Sequence, residues 1–143
     1  ELKDLSHTLQ LDGVIDFLPS TPLKDIVSLA QRMHIGVGNL TFDESGLETL
    51  SSLKTKDYCA MGIPFFSSRK DISFPSDFPY HYILNQDIFD IDMSEIIRWY
   101  ENIRKNLYYR KEMHDFAEIN LQFDQVANKI ANAVRAKQKG QLS

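Results

Sequence analysis

Two charged residues of opposite sign, Lys54 and Asp57, lie three positions apart in a segment whose apolar spacing predicts a helix over residues 46–61. At about 100° per residue, both charges fall on the apolar face of that helix. The apolar residues of this face are Leu47, Leu50, Leu53, Tyr58 and Met61. Because charges on a core-facing surface are costly unless paired or liganded, the pattern predicts one of two arrangements. Either Lys54 and Asp57 form a structural ion pair, or the face opens onto a ligand site.

The surrounding residues 36–68 show the pattern of a strand, a loop, a helix, a turn and a second strand. Ser45 and Glu48 have the S-x-x-E spacing of a capping box, which predicts that the helix begins with Ser45 as its N-cap. The sequence Gly-Ile-Pro at 62–64 ends the helix. The free N–H groups at such a helix start favour an anion such as phosphate. Gly46 either admits a ligand close to the backbone or only shapes the turn.

The other helices and strands predicted from the sequence alternate along the chain. Helices are expected over 1–11, 23–33, 93–107 and 115–138, and strands over 14–18, 34–39, 64–66 and 81–84, with an aromatic-anchored loop at 69–80 and a polar hinge at 105–114. This alternation predicts an α/β fold with a doubly wound, Rossmann-like, mainly parallel sheet. Ligands of such sheets bind beyond the carboxyl ends of the strands, which here are 19–20, 38–41, 67–70 and 85–87.

Length and composition fit one domain covering residues 1–143, and the net charge of −4 gives no reason to expect a nucleic-acid partner. The single cysteine, Cys59, excludes an intramolecular disulfide and suits a reducing cytoplasm. The four histidines are scattered, so no metal site is expected, and no apolar run reaches transmembrane length. Because the chain opens at Glu1 inside a predicted helix, without an initiator Met, we expect it to be a fragment of a longer protein.

A specific resemblance covers residues 51–66, SSLKTKDYCAMGIPFF. This run closely resembles the signature S-x-L-K-x-x-E-Y-x-A-x-G-x-P of the C-terminal, nucleotide-sugar-binding domain of GT-B-fold glycosyltransferases of the retaining, family-four type. Residues 14–18 and 34–40 look like two further strands of that domain, and the final helix looks like the one that returns across its domain interface. The resemblance implies the C-terminal half of a GT-B fold, with its first strand upstream of Glu1.

The resemblance implies a retaining glycosyltransferase that moves a sugar from a nucleotide-sugar donor to an acceptor in cell-surface polysaccharide or glycolipid synthesis. It implies no cofactor and no metal, and an acceptor bound by a separate N-terminal domain, so this chain alone is expected to be inactive. The parent protein is expected in the cytoplasm or peripherally at the inner face of the membrane. Three alternatives stay open: a non-catalytic binding module of the same fold, a sugar-nucleotide epimerase, and a generic doubly wound domain.

The family's site residues map onto a few positions of this chain. The resemblance implies that Asp57 holds the donor ribose and that Lys54 lies near the diphosphate or sugar. It further implies donor contacts from Gly38, Ser45, Gly46 and Leu47, and catalytic roles for Lys54 and Glu48. The chain departs from the family in carrying Asp57 in place of Glu, and Thr49 where the E-x₇-E pattern has its first Glu.

A shift of one residue turns a helical side chain by about 100°. Glu48 is therefore either the displaced first Glu or only a capping residue. Glu44, from the preceding loop, is a further candidate for that role.

Overall fold

The computed structural model of the chain describes residues 1–40, 49–84, 91–122, 127 and 135. The chain forms two compact units, Glu1–Gln31 and Arg32–Ser143. The first unit contains helices α1 (Leu2–Thr8) and α2 (Leu23–Ala30), which confirm the helices predicted near 1–11 and 23–33 but are shorter. In the described part of the chain, no helix is long and apolar enough to cross a membrane.

The strand predicted over residues 14–18 is wrong. The carbonyl of Leu11 accepts hydrogen bonds from the backbone N–H groups of Val14 (3.0 Å) and Ile15 (3.2 Å), which closes a turn. The residues that follow have no partner strand among those that the structure describes. An apolar run with no neighbouring strand to pair with does not become a strand, whatever its composition.

The second unit contains the sheet structure. Its strands are β1 (Gly36–Val37), β2 (Thr49–Leu50), β3 (Phe65–Ser67), β4 (Lys70–Asp71) and β5 (His81–Ile83), and its helices are α3 (Leu53–Ala60), α4 (Met93–Ile103) and α5 (Tyr109–Asn120). One sheet has the order β1-β3-β5 with parallel pairs throughout, and β2 and β4 form a separate parallel pair. The expectation of an α/β fold with parallel sheets is confirmed, although the sheets are small.

Neighbouring residues of the central strand β3 lie in two different hydrophobic clusters. Phe65 lies in a cluster with side chains from α3, α5 and the loop before β5, whereas Phe66 lies in a second cluster with Ile96 of α4 and Leu84. Since successive side chains of a strand point to opposite faces, the three-stranded sheet is covered on both sides. The buried members of the first cluster are Cys59, Phe65, Phe74, Phe78, Tyr80, Ile103, Tyr109, Met113 and Ala117.

The aromatic loop between β4 and β5 is confirmed. Phe74 and Phe78 are buried, with exposed fractions of 3% and 8%. The ring of Phe74 lies 5.2 Å from that of Phe65, and the ring of Phe78 lies 4.7 Å from that of Phe116. These rings cover the β3–β5 crossover, where a parallel connection more often carries a helix.

The polar hinge predicted at 105–114 is confirmed only as far as residue 108, where turns connect α4 to α5, and is wrong from Tyr109, where helix α5 begins. Tyr109, Met113 and Ala117 recur every four residues and are all buried, so they form the face by which α5 packs on the core. Charged residues between them hide this spacing in the sequence. Helix α4 keeps its predicted start, with Asp92 as N-cap accepting from the Ser94 N–H at 2.8 Å.

Two apolar residues of the segment predicted as a helix over 93–107, Ile97 and Leu107, are exposed. Leu107 lies beyond the last residue of α4, so it is off the buried face that Ile96, Tyr100 and Ile103 form.

Candidate functional site

Helix α3 begins seven residues later than predicted. The segment Thr49–Leu50 is strand β2, which pairs with Lys70–Asp71, and the helix starts at Leu53 with Ser52 as N-cap. The prediction of a helix that begins at residue 46 is therefore wrong for residues 49–52, which precede the helix. The remaining predicted site residues of this segment lie outside the described residues: Glu44, Ser45, Gly46, Leu47 and Glu48.

The first turn of α3 lies toward the carboxyl end of β1. A Cβ built on Gly36 would meet the Tyr58 ring at 2.6 Å, and one built on Gly38 would meet the Ser67 Cβ at 2.9 Å and the Thr55 Cγ2 at 3.4 Å. Tyr58 thus packs beside the start of β1, and Thr55 packs beside its end. Both glycines permit a close approach that a larger residue would block. This packing accounts for Gly38 whether or not it contacts a ligand.

Asp71 holds the first turn of α3 through its carboxylate. It is 2% exposed and accepts hydrogen bonds from the Ser52 N–H (3.0 Å), the Thr55 hydroxyl (2.5 Å) and the Ser73 N–H (2.9 Å). Burial raises the pKa of Asp71, but these hydrogen bonds together outweigh burial and hold the pKa below its usual range. The start of this helix is therefore already occupied by an anionic group of the protein itself.

Lys54 and Asp57 are both exposed, so their predicted place on the core-facing side of the helix is wrong. The buried residues of α3 are Thr55 and Cys59, whereas Leu53 is 78% exposed. Within the described residues, neither Lys54 nor Asp57 makes an ion pair. The structural ion pair is therefore wrong as well, and both side chains are open to solvent.

Asp57 borders a depression of about 370 Å³ between α3 and the C-terminal part of α5. The residues that line it are Lys56, Asp57, Ala60, His114, Ala117, Glu118, Leu121 and Gln122. Alanine and leucine side chains lie beside charged and polar ones, which suits a ligand with both apolar and polar parts. Lys54 does not line this depression, so the two predicted site residues border different parts of the surface.

A second group of ionisable residues, which the sequence analysis did not single out, lies on α5. The ligand atoms of His114, Asp115 and Glu118 all lie within 4.8 Å of one another. The sequence signal was the i, i+4 spacing of His114 and Glu118, which places these two on one face of a helix; the neighbouring Asp115 is brought near them only in the structure. His114 and Glu118 also line the depression that Asp57 borders.

At the carboxyl end of β3, Ser67 and His81 form a half-buried hydrogen bond. The Ser67 hydroxyl donates to the Arg69 carbonyl at 2.6 Å, and its oxygen lies 2.7 Å from His81 Nε2. Since the hydroxyl proton is engaged, the network assigns the proton of this contact to Nε2. Burial lowers the pKa of His81, and the nearby Asp71 carboxylate offsets this only in part. This geometry joins β3 to β5 and does not activate Ser67 as a nucleophile.

Cys59 is fully buried, and its thiol donates to the Met113 carbonyl at 3.3 Å. Burial raises the pKa of Cys59 to about 12, so the thiol stays protonated at neutral pH. Cys59, which was not among the residues of the predicted apolar face, is therefore a packing residue between α3 and α5. Its burial and raised pKa do not favour nucleophilic or redox chemistry.

Comparison of the chain with models of protein families, with curated proteins and with solved structures finds no match. The geometry therefore defines the chain only as a small parallel α/β protein with polar residues at the carboxyl end of its sheet.

Proposed function

We propose that this chain is the donor-binding domain of a retaining glycosyltransferase, which holds a nucleotide-sugar while its sugar passes to an acceptor in polysaccharide or glycolipid synthesis. The observation that carries the proposal is the exposure of Lys54 and Asp57 without an ion pair within the described residues. In the proposed architecture the sheet belongs to a doubly wound GT-B half, and a separate domain binds the acceptor. No metal is required, because the protein supplies positive charge to the diphosphate.

The residues of the signature divide into two groups in the structure. Tyr58 packs on Gly36, and Gly62 takes a φ of +68° at the end of α3 with Arg110 atoms about 3 Å from where its Cβ would lie. These residues have roles in the fold. Lys54 and Asp57 have no such role among the described contacts, which is what a ligand-binding function predicts.

The position of α3 is also favourable to the proposal. Its first turn lies toward the carboxyl end of β1, where parallel sheets bind their ligands. Lys54, in that turn, is suited to a phosphate oxygen, and Asp57, one turn further along, to the two ribose hydroxyls. The shorter side chain of Asp57 requires the ribose to approach the helix more closely than a Glu would.

The remaining roles belong to the same proposal. Ser45, Gly46 and Leu47 supply backbone contacts to the donor, and Glu48 or Glu44 supplies the first carboxylate of the family pattern. Gly38 contributes through the close packing that lets the strand end face the donor.

One observation favours the second candidate, a non-catalytic binding module of the same fold. The start of α3 is occupied by the Asp71 carboxylate, which would repel a phosphate placed at those N–H groups. In a module of this kind the nucleoside would bind at Asp57 without activation of the diphosphate.

A metal-free calorimetric titration of the chain with UDP, GDP, ADP and their sugars tests the proposal. We expect one nucleotide diphosphate to bind. Lys54→Ala should weaken binding of the diphosphate about tenfold, and Asp57→Asn should weaken binding of the nucleoside as well. Neither exposed substitution should change the melting temperature by more than a few degrees. For the second candidate, Asp57→Asn alone would weaken binding.

The matched controls are Lys105→Ala and Asp25→Asn, which remove exposed charges of the same types elsewhere on the chain. Binding that falls equally in these controls would reflect net charge alone. The absence of binding across the whole panel, or binding that both site variants leave unchanged, would contradict the proposal.

A further inference from the structure

The exposed face of α5 brings together three side chains that are ordinary metal ligands. His114 contributes an imidazole nitrogen, and Asp115 and Glu118 contribute carboxylate oxygens, all within 4.8 Å of one another. Atoms that share one tetrahedral zinc ion lie about 3.3–3.6 Å apart, as follows from bonds of about 2.0–2.2 Å. His114 and Glu118 are exposed, so their side chains have room to change rotamer toward that spacing.

We propose that His114, Asp115 and Glu118 form a binding site for a divalent cation of the zinc class. One nitrogen and two oxygen ligands match zinc and its borderline neighbours, whereas magnesium and calcium prefer oxygen ligands alone. The three ligands lie within five residues of one helix, so no large rearrangement of the fold is needed for binding. This site is independent of the nucleotide-sugar proposal and stands whether or not that proposal holds.

Lys111 sets the strength of the site. Its ammonium lies 2.5 Å from Asp115 Oδ2, so in the absence of metal it neutralises one of the ligands. We therefore expect a bound ion to compete with Lys111 for the Asp115 carboxylate. A cation beside a metal site lowers metal affinity by repulsion. Removal of the Lys111 charge is therefore expected to tighten binding, which a purely structural α5 surface would not show.

The depression beside the site provides the open side of the coordination sphere. His114 and Glu118 line it together with Asp57, so a fourth ligand can come from water or from a bound molecule with an oxygen donor. Three protein ligands with one open position are the arrangement found in zinc sites that bind an exogenous ligand. The chemical class of ligand that fits is an anionic or carbonyl oxygen.

Isothermal titration of the purified chain with zinc chloride at pH 7.5 tests the inference, with magnesium chloride as the hard-cation comparison. We expect one zinc ion per chain, no saturable magnesium binding, and zinc affinity lowered at least about tenfold by His114→Gln and by Glu118→Gln. Lys111→Ala should raise zinc affinity several-fold. Melting temperatures without metal confirm that each variant is folded.

His7→Gln is the matched control. His7 is also exposed and lies 2.7 Å from the carboxylate of Asp12, but it belongs to the first unit and joins no three-ligand group among the residues that the structure describes. Zinc affinity should be unchanged in this variant. No saturable zinc binding by the unmodified chain would overturn the proposal. Binding that His114→Gln and Glu118→Gln leave intact, or that His7→Gln removes, would also overturn it.

Discussion

Asp71 is the residue that fixes where helix α3 begins. Its carboxylate accepts from the Ser52 N–H and the Thr55 hydroxyl, at the two ends of the first turn, and from the Ser73 N–H on its own segment. A buried carboxylate with three donors is stable because each donor replaces a lost water. Strand β2 ends directly before this contact, so one side chain links the small β2–β4 sheet to the helix that carries Lys54 and Asp57.

Substitution of Asp71 by Asn should destabilise the chain by about 2 kcal/mol at pH 7, because hydrogen bonds to a charged acceptor contribute about 1.5–3 kcal/mol. The Asn amide has one acceptor oxygen and turns its NH₂ group toward a donor. Urea denaturation followed by circular dichroism measures the loss. The control is Asp77→Asn in the loop that follows β4, where the side chain is exposed and a change below about 0.5 kcal/mol is expected.

The effect of Asp71→Asn on stability should depend on pH, and the sign of this dependence follows from the low pKa of Asp71. A carboxyl group whose pKa is lower in the folded than in the unfolded chain stabilises the fold above the unfolded value, about 3.8. That stabilisation is lost as the pH falls through the folded value. The difference in stability between the unmodified chain and Asp71→Asn should therefore shrink below about pH 4. A difference that stays constant down to pH 2 would contradict this role for the carboxylate.

At the scale of elements, α3 and β1 pack through an aromatic ring against a glycine. The Tyr58 ring occupies the space where a Gly36 Cβ would lie, with three ring atoms between 2.6 and 2.8 Å from that position. Gly36 does not have a positive φ, so its backbone conformation is open to other residues. The packing of the ring is what requires a glycine at this position.

Gly36→Ala should cost about 1–3 kcal/mol, as other overpacked core substitutions do. When Tyr58 is also replaced by Ala, the cost of Gly36→Ala should fall below about 0.5 kcal/mol, because the added methyl group then has room. Urea denaturation of the four members of this double-mutant cycle gives the coupling energy. Equal costs of Gly36→Ala in both backgrounds would show that the ring is not what excludes a side chain there.

Elements with local signals were predicted from the sequence, and elements set by distant contacts were not. Gly62 and Pro64 mark the end of α3, and Asp92 caps α4, through interactions within a few residues. The start of α3 depends instead on Asp71, which lies 19 residues from Ser52. The apolar periodicity of residues 46–61 contains no information about that contact. Both the start of the helix and the face predicted to be buried were therefore wrong.

At the scale of the whole molecule, both hydrophobic clusters draw on the second unit alone. The first cluster joins α3, β3, the aromatic loop, α4 and α5, and the second joins β3, β5 and α4. Lys54, Asp57 and the three proposed metal ligands belong to the same unit. The motif at 51–66 led to the first two of these residues, whereas the α5 group was missed because three potential ligands on one exposed helix resemble an ordinary charged surface.

Residues 32–143 are therefore expected to fold without residues 1–31. A unit that contains its own core should unfold cooperatively by itself. The measurement is the thermal unfolding of the 32–143 chain by circular dichroism, together with its zinc titration. A chain that begins at residue 41 is the control, because it lacks β1 and the side chains of Ile35 and Leu40, which pack on the second cluster. We expect cooperative unfolding and retained zinc binding for 32–143, and loss of cooperativity for 41–143. A non-cooperative 32–143 chain would show that the second unit depends on the first for its stability.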